Sequence, residues 1–125
     1  MVLELDKKAP WLKNYGDVKF HLDYPETTMS GAVLETAKNN PDFSALAFMG
    51  REISYAHLAY KIDECAKAFK AIGIKEDDRV TLCMPNVPQT VYCFYALNRI
   101  GAIATMIHPL SAVGEIEFYL NETES

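Results

Sequence analysis

The sequence predicts an α/β fold: a partial parallel sheet of three-layer type with helices on its faces. Two observations carry that reading. Arg79–Met84 and Ala102–Ile107 are short, mostly apolar runs, the composition of strands buried on both faces of a parallel sheet. Leu58, Ile62, Cys65, Phe69 and Ile72 recur every three or four residues, the period of a helix with one side on a core. A second helical stretch joins the two strands, which implies a right-handed parallel crossover.

The elements follow in order. Residues 1–27 read as an extended arm, turn-rich at Tyr15-Gly16-Asp17 and Asp23-Tyr24-Pro25, with Trp11, Tyr15, Phe20 and Tyr24 expected to pack on a larger body. Residues 28–125 read as a partial α/β domain. Its first helix opens at Thr27 or Thr28, whose hydroxyl can cap a free N–H. That helix carries Met29, Val33 and Ala37 on one stripe and stops before Pro41. Ala45–Met49 and Glu52–Tyr55 predict a hairpin turning at Gly50-Arg51. Ser54 or Tyr55 opens the next helix, and Gly73 ends it with Lys70 in the last turn. After Arg79–Met84, Asn86 is expected to cap a well-buried helix (Val91, Tyr92, Phe94, Tyr95, Leu97), with Pro88 in the first turn, Gln89 completing the cap and Gly101 at the end. Following Ala102–Ile107, Ser111 opens a last helix holding Ile116, Tyr119 and Leu120.

Composition narrows the function classes. A chain of 125 residues makes about one domain and buries roughly two-thirds of its unfolded surface. With 50% hydrophobic and 23% charged residues it reads as an ordinary globular protein. The net charge of −5 and the scattered lysines (Lys7, Lys8, Lys13, Lys19, Lys61, Lys67, Lys70) lack the basic patch a nucleic acid requires. Met1–Lys8 holds no signal-peptide core. Pro88, Gln89, Asn98 and Arg99 interrupt the apolar stretch Val87–Ile107, well short of the about 20 apolar residues of a membrane span. Cys65, Cys83 and Cys93 have no metal-ligand spacing and read as small buried hydrophobes in a reducing compartment. The expectation is a cytoplasmic protein.

The candidate chemistry is sparse. A phosphate cradle needs clustered glycines, and here each stands alone. Ligands in α/β proteins sit at the carboxyl ends of strands, which draws attention to Asn86 and His108. His108 could act as a base, but a turn histidine before Pro109 is the simpler reading; for Asn86 it is the helix cap. Asp63 and Glu64 are adjacent on a helix, diverge by about 100°, and read as solvated charges. Glu76-Asp77-Asp78 reads as a surface turn. His21, His57 and the cysteines show no zinc spacing, and Ser54 and Ser111 lack a nucleophile-elbow context. No catalytic, cofactor-binding or metal-binding residue is assigned.

Several segments together resemble the opening of the adenylate-forming (AMP-binding) superfamily. They are Gly50-Arg51-Glu52-Ile53-Ser54-Tyr55-Ala56-His57-Leu58, Phe69–Val80, Met84-Pro85-Asn86-Val87-Pro88, Ala96–Ile103, and His108-Pro109-Leu110-Ser111 with Glu115-Ile116. Within that superfamily the chain is most similar to the acyl-CoA synthetases, including its arm at Pro10-Trp11-Leu12 and Tyr24-Pro25. The resemblance implies the N-terminal portion of such an enzyme's large domain. The parent would convert a carboxylic or fatty acid, Mg-ATP and coenzyme A to acyl-CoA, AMP and pyrophosphate through an acyl-adenylate. The family's Ser/Thr/Gly-rich loop, aromatic-Thr-Glu segment, ribose-binding Asp and catalytic Lys lie downstream and have no counterpart here, so no role carries over. The motifs around Ser54-Tyr55-Leu58 and Arg99-Gly101-Ala102 are structural in the family. Many relatives place Asn where this chain has His108.

Three expectations follow. The chain is a fragment cut at Ser125, inactive alone, and its partner is the remainder of the parent. Val80–Cys83 and Ile103–Ile107 expect further sheet neighbours, so the fragment self-associates through an unpaired hydrophobic edge or is marginally stable. The rival readings are a non-catalytic α/β binding or interaction module, and a small hydrolase or transferase built around His108.

Overall fold

The computed structural model describes residues 9–19 and 22–125. They form α1 (Met29–Asn39), β1 (Ser44–Phe48), β2 (Arg51–Ser54), α2 (Tyr55–Ala71), β3 (Arg79–Cys83), α3 (Pro88–Ile100), β4 (Ile103–Ile107) and α4 (Val113–Thr123). The mixed α/β class is as the sequence predicts. The strands form two separate pairs: β1 and β2 an antiparallel hairpin, β3 and β4 a parallel pair running from Arg79↔Ile103 to Cys83↔Ile107.

Local chemistry explains most boundaries. The Thr28 hydroxyl accepts the Gly31 N–H at 3.0 Å, and the Ser54 hydroxyl accepts the His57 N–H at 3.3 Å. Each satisfies a donor that the first helical turn leaves free. α3 ends on Gly101, which is left-handed at φ +81°. A Cβ there would lie 2.9 Å from Cγ of Glu76, so both backbone conformation and space require glycine.

Three boundaries differ from expectation. Asn86 does not cap α3: Pro88 is its first residue, and the residue before a proline is driven extended, so Val87 (φ −127°, ψ 159°) becomes the N-cap. The turn is held instead by Pro85 O, which accepts from the Thr90 hydroxyl at 2.6 Å and the Val87 N–H at 2.8 Å. Ser111 does not open α4. Its N–H bonds back to His108 O at 3.1 Å, and Ala112 is the N-cap, its N–H held by the Glu115 carboxylate at 3.0 Å. The hairpin turns at Met49-Gly50, one residue earlier than expected. Both are left-handed (φ +49° and +75°), the two-residue turn whose twist matches the flanking strands, and Arg51 pairs with Phe48.

The arm also departs from its expectation. Trp11 is 58% exposed and Tyr24 79% exposed. Short-range bonds explain this: Leu12 N–H to Ala9 O, Asn14 N–H to Trp11 O and Val18 N–H to Tyr15 O wind the segment on itself. Phe20 and His21 lie outside the described residues.

The core sits between α2, α3 and the parallel pair. Leu58, Ile62, Ala66, Tyr92 and Ala96 form one cluster, and Leu82, Leu97 and Ala102 a second, bridged by Phe69 and Ile100. α1 is tied to α3 by the buried Ser30, whose N–H donates to Asn98 Oδ1 at 2.8 Å. β3 and β4 are not buried on both faces as expected. Val80, Leu82 and Ala104 pack on α3, whereas Arg79, Cys83 and Ile103 are exposed. The opposite face meets the carboxyl end of α4, through Arg79 Nη1 to Thr123 O at 3.1 Å and the Glu124 carboxylate at 2.6 Å, and through the Thr81 and Ser125 hydroxyls at 2.5 Å.

Candidate functional site

Two clefts open near the carboxyl ends of β3 and β4. The larger, about 650 Å³, lies between the hairpin, α2 and the amino-terminal half of α3. Leu46, Phe48, Leu58, Val91, Phe94 and Met106 give it an apolar wall, and Asn86, Tyr55 and Tyr95 are among its polar lining groups. The Thr90 hydroxyl also faces it, but is held by Pro85 O. A wall of this kind holds an alkyl or aromatic group; it presents no cation to a phosphate. Asn86, one of the two strand-end candidates, therefore lines a cleft and does not cap a helix.

The smaller cleft, about 220 Å³, includes Thr105, His108, Ser111, Tyr119 and Thr123 in its lining. His108 is exposed, and its Nδ1 accepts the Leu110 N–H at 3.1 Å. The neutral ring accordingly carries its proton on Nε2. This is the turn histidine the sequence favours. No hydrogen bond joins the imidazole to Ser111 or another nucleophile among the described residues. The Thr123 hydroxyl is already committed to Tyr119 O at 2.7 Å.

The paired carboxylates separate as their helical spacing requires, but Asp63 does more than face solvent. Its two oxygens bridge Lys67 at 2.6 Å on its own helix and Arg99 at 3.1 Å on α3. The Lys67 bond holds the Asp63 carboxyl below its usual range. Glu64 pairs with Lys61 and accepts the Tyr60 hydroxyl, both at 2.7 Å, which lowers its own pKa and raises that of Tyr60. Asp77 and Asp78 form the expected turn, tied back to the end of α3 by the Asp77 N–H on Gly101 O at 3.0 Å.

The cysteines correct their expectation in part. Cys83 is exposed; Cys65 and Cys93 are half-buried, and burial pushes the Cys93 thiol up to about 11. Among the described residues no three His, Cys, Asp or Glu side chains could jointly hold a metal, and no helix is long and apolar enough to cross a membrane.

Sequence reasoning missed the larger cleft because its lining comes from separate elements and consists of residues indistinguishable from core. One signal was present: Met84-Pro85-Asn86-Val87-Pro88 places two prolines at a strand end, which stops the chain from closing tightly onto α3.

The model of the AMP-binding enzyme family matches residues 33–125. The chain is 27% identical over 121 residues to a long-chain-fatty-acid–CoA ligase of Bacillus subtilis, covering 96% of this chain and 22% of that protein. It is 40% identical over 58 residues to a crotonobetaine/carnitine–CoA ligase of Salmonella paratyphi A, covering 46% of this chain and 11% of that protein. The chain thus spans about a fifth or less of the curated relatives it matches. Among solved structures it is similar to the inhibitor-bound N-terminal domain of FACL13 from Mycobacterium tuberculosis, with TM-score 0.74 and 28% identity over 78% of this chain and 25% of that one. The fold is also that of NpsA-ThdA, a fused adenylation–PCP di-domain from Klebsiella oxytoca, with TM-score 0.79 and 24% identity over 82% of this chain and 19% of that one.

Proposed function

The chain belongs to the AMP-binding enzyme family, and from that premise we propose that it forms the amino-terminal part of an AMP-forming acyl-CoA ligase. The observation that carries this reading is the family match across residues 33–125, which spans both clefts and both sheets. In the complete ligase a carboxylic or fatty acid reacts with ATP to give an acyl-adenylate and pyrophosphate, and coenzyme A then takes the acyl group with release of AMP.

The residues present here do not fit a Mg-ATP site. Neither cleft has a lysine or arginine in its lining, and no three potential ligands converge among the described residues. No step is therefore routed through this chain's side chains. Its contribution is scaffold: α2 and α3 support the parallel pair, whose carboxyl ends open toward the larger cleft. ATP, magnesium and coenzyme A belong with the remainder of the ligase, which is the chain's main partner. The reaction's need for ATP and coenzyme A supports a cytoplasmic location.

A chimera tests this assignment. The matching segment of the Bacillus subtilis ligase is replaced by this chain, and fatty-acid-dependent AMP release is measured. The chimera should recover release that the ligase lacking the segment has lost. A folded chimera with no more activity than the truncated ligase would count against the assignment.

A further inference from the structure

Successive residues of a strand point to opposite faces, yet Ala45, Leu46, Ala47 and Phe48 all line the larger cleft. A cleft that reaches four consecutive residues runs along the backbone edge of β1 and not over one face. That edge is free among the described residues. β2 is the strand paired with β1, and residues 45–48 make no hydrogen bond outside that ladder. The two-residue turn makes Phe48 and Arg51 the closing pair, which exchanges its ladder bonds internally. The next pair, Ala47 and Glu52, therefore points its N–H and C=O groups outward. Ala47 is exposed.

Soluble proteins blunt a free strand edge with charge, with proline or with a covering element. The β2 edge carries exposed Arg51 and Glu52, whereas Ser44-Ala45-Leu46-Ala47-Phe48 holds no charge and no proline. The rest of the cleft lining includes Leu58 of α2 and Val91 and Phe94 of α3. An unprotected edge beside an apolar wall offers main-chain bonds and side-chain pockets together, the two requirements of strand addition. We propose, on the basis of the ligase assignment above, that an extended, uncharged apolar segment from the remainder of the ligase adds to β1 and lays alternate side chains into the larger cleft. This chain spans 22% of the Bacillus subtilis relative, so most of such a ligase lies outside it and can supply the strand. No lysine or arginine lines the cleft, so an acidic segment would be desolvated there without an ion partner.

Backbone amide exchange reads the pairing. It is followed residue by residue, by mass spectrometry with electron-transfer fragmentation, in the 125-residue chain and in the folded chimera described above. The Ala47 amide should exchange about 100-fold more slowly in the chimera than in the chain alone, while the Glu52 amide on the charged edge changes little. Ala47→Pro removes the outward N–H at an edge position, where proline is tolerated. It should shift the Tm of the chain alone by no more than about 3 °C and lower that of the chimera by clearly more. Protection is read whether or not the chimera releases AMP, so a failed ligase assignment and a failed strand addition give different results. An Ala47 amide that exchanges equally fast in both proteins overturns the proposal, as does protection gained at Glu52 in its place. A cleft closed to an apolar dye in the chimera while the Ala47 amide still exchanges fast would make it a side-chain or ligand pocket, which also overturns strand addition.

Discussion

α3 and α4 are amphipathic helices of similar length with opposite fates. α3 buries Pro88, Thr90, Tyr92, Ala96 and Leu97, and Leu97 is wholly inaccessible. α4 buries none of its residues and leaves Val113, Phe118, Tyr119 and Leu120 at 83%, 59%, 39% and 37% exposure. The helical pattern is present in both. Only α3 has α2 on one side and β3 and β4 on the other. α4 is held by polar contacts, the Glu115 carboxylate on the Ala112 N–H and the Arg79–Glu124 ion pair at 2.6 Å among them, neither of which removes apolar surface from water. Amphipathic periodicity thus specifies which face a helix would bury; a covering element decides whether it does.

The largest test of that contrast is Leu97→Ala. It opens a cavity in the second core cluster and should cost about 2–5 kcal/mol in urea unfolding, whereas Leu120→Ala on α4 should cost well under half as much. Equal costs would mean that α4 is covered after all. Next comes Gly101→Ala, which forces a left-handed alanine against Glu76 and should cost about 1–2 kcal/mol. Pairing it with Glu76→Ala should recover the steric part and leave the backbone part.

Asp63→Asn is a smaller perturbation, read through pH. The folded-state pKa of Asp63 lies below its ordinary value of 3.8, chiefly through the Lys67 bond. Its contribution is therefore complete above that ordinary value and lost as pH falls through the lower folded value. The variant should melt slightly lower at neutral pH and show a shallower acid limb; an unchanged limb would show that solvent screens the α2–α3 bridge entirely. Smallest in stability is Phe118→Ser, expected within about 0.5 kcal/mol of the parent chain. Its effect should appear in light scattering instead. The exposed edge and the bare α4 face should drive concentration-dependent association, and this substitution should reduce it. A monodisperse parent chain at high concentration would contradict that expectation.

The same contrast explains how much was legible in the sequence. Thr28, Ser54, Gly73 and Gly101 carry their instructions locally, and the helices begin or end where those residues say. Asn86 and Ser111 are equally good caps by type, yet a neighbouring proline and a preceding turn each move the helix start one residue onward. The apolar composition of β3 and β4 suits burial on both faces, but composition records an affinity for cover and not its presence. The larger cleft was illegible for the same reason: Phe48, Leu58, Phe94 and Met106 become a wall only when separate elements meet.

On the proposed assignment, this chain is scaffold for adenylation chemistry whose reacting groups lie elsewhere in the ligase. ATP–pyrophosphate exchange by the pure 125-residue chain, assayed against carboxylic acids from short to long chain, tests it most directly. No acid-dependent exchange above background is expected. Sustained exchange with any acid, abolished by a substitution within either cleft, would contradict it.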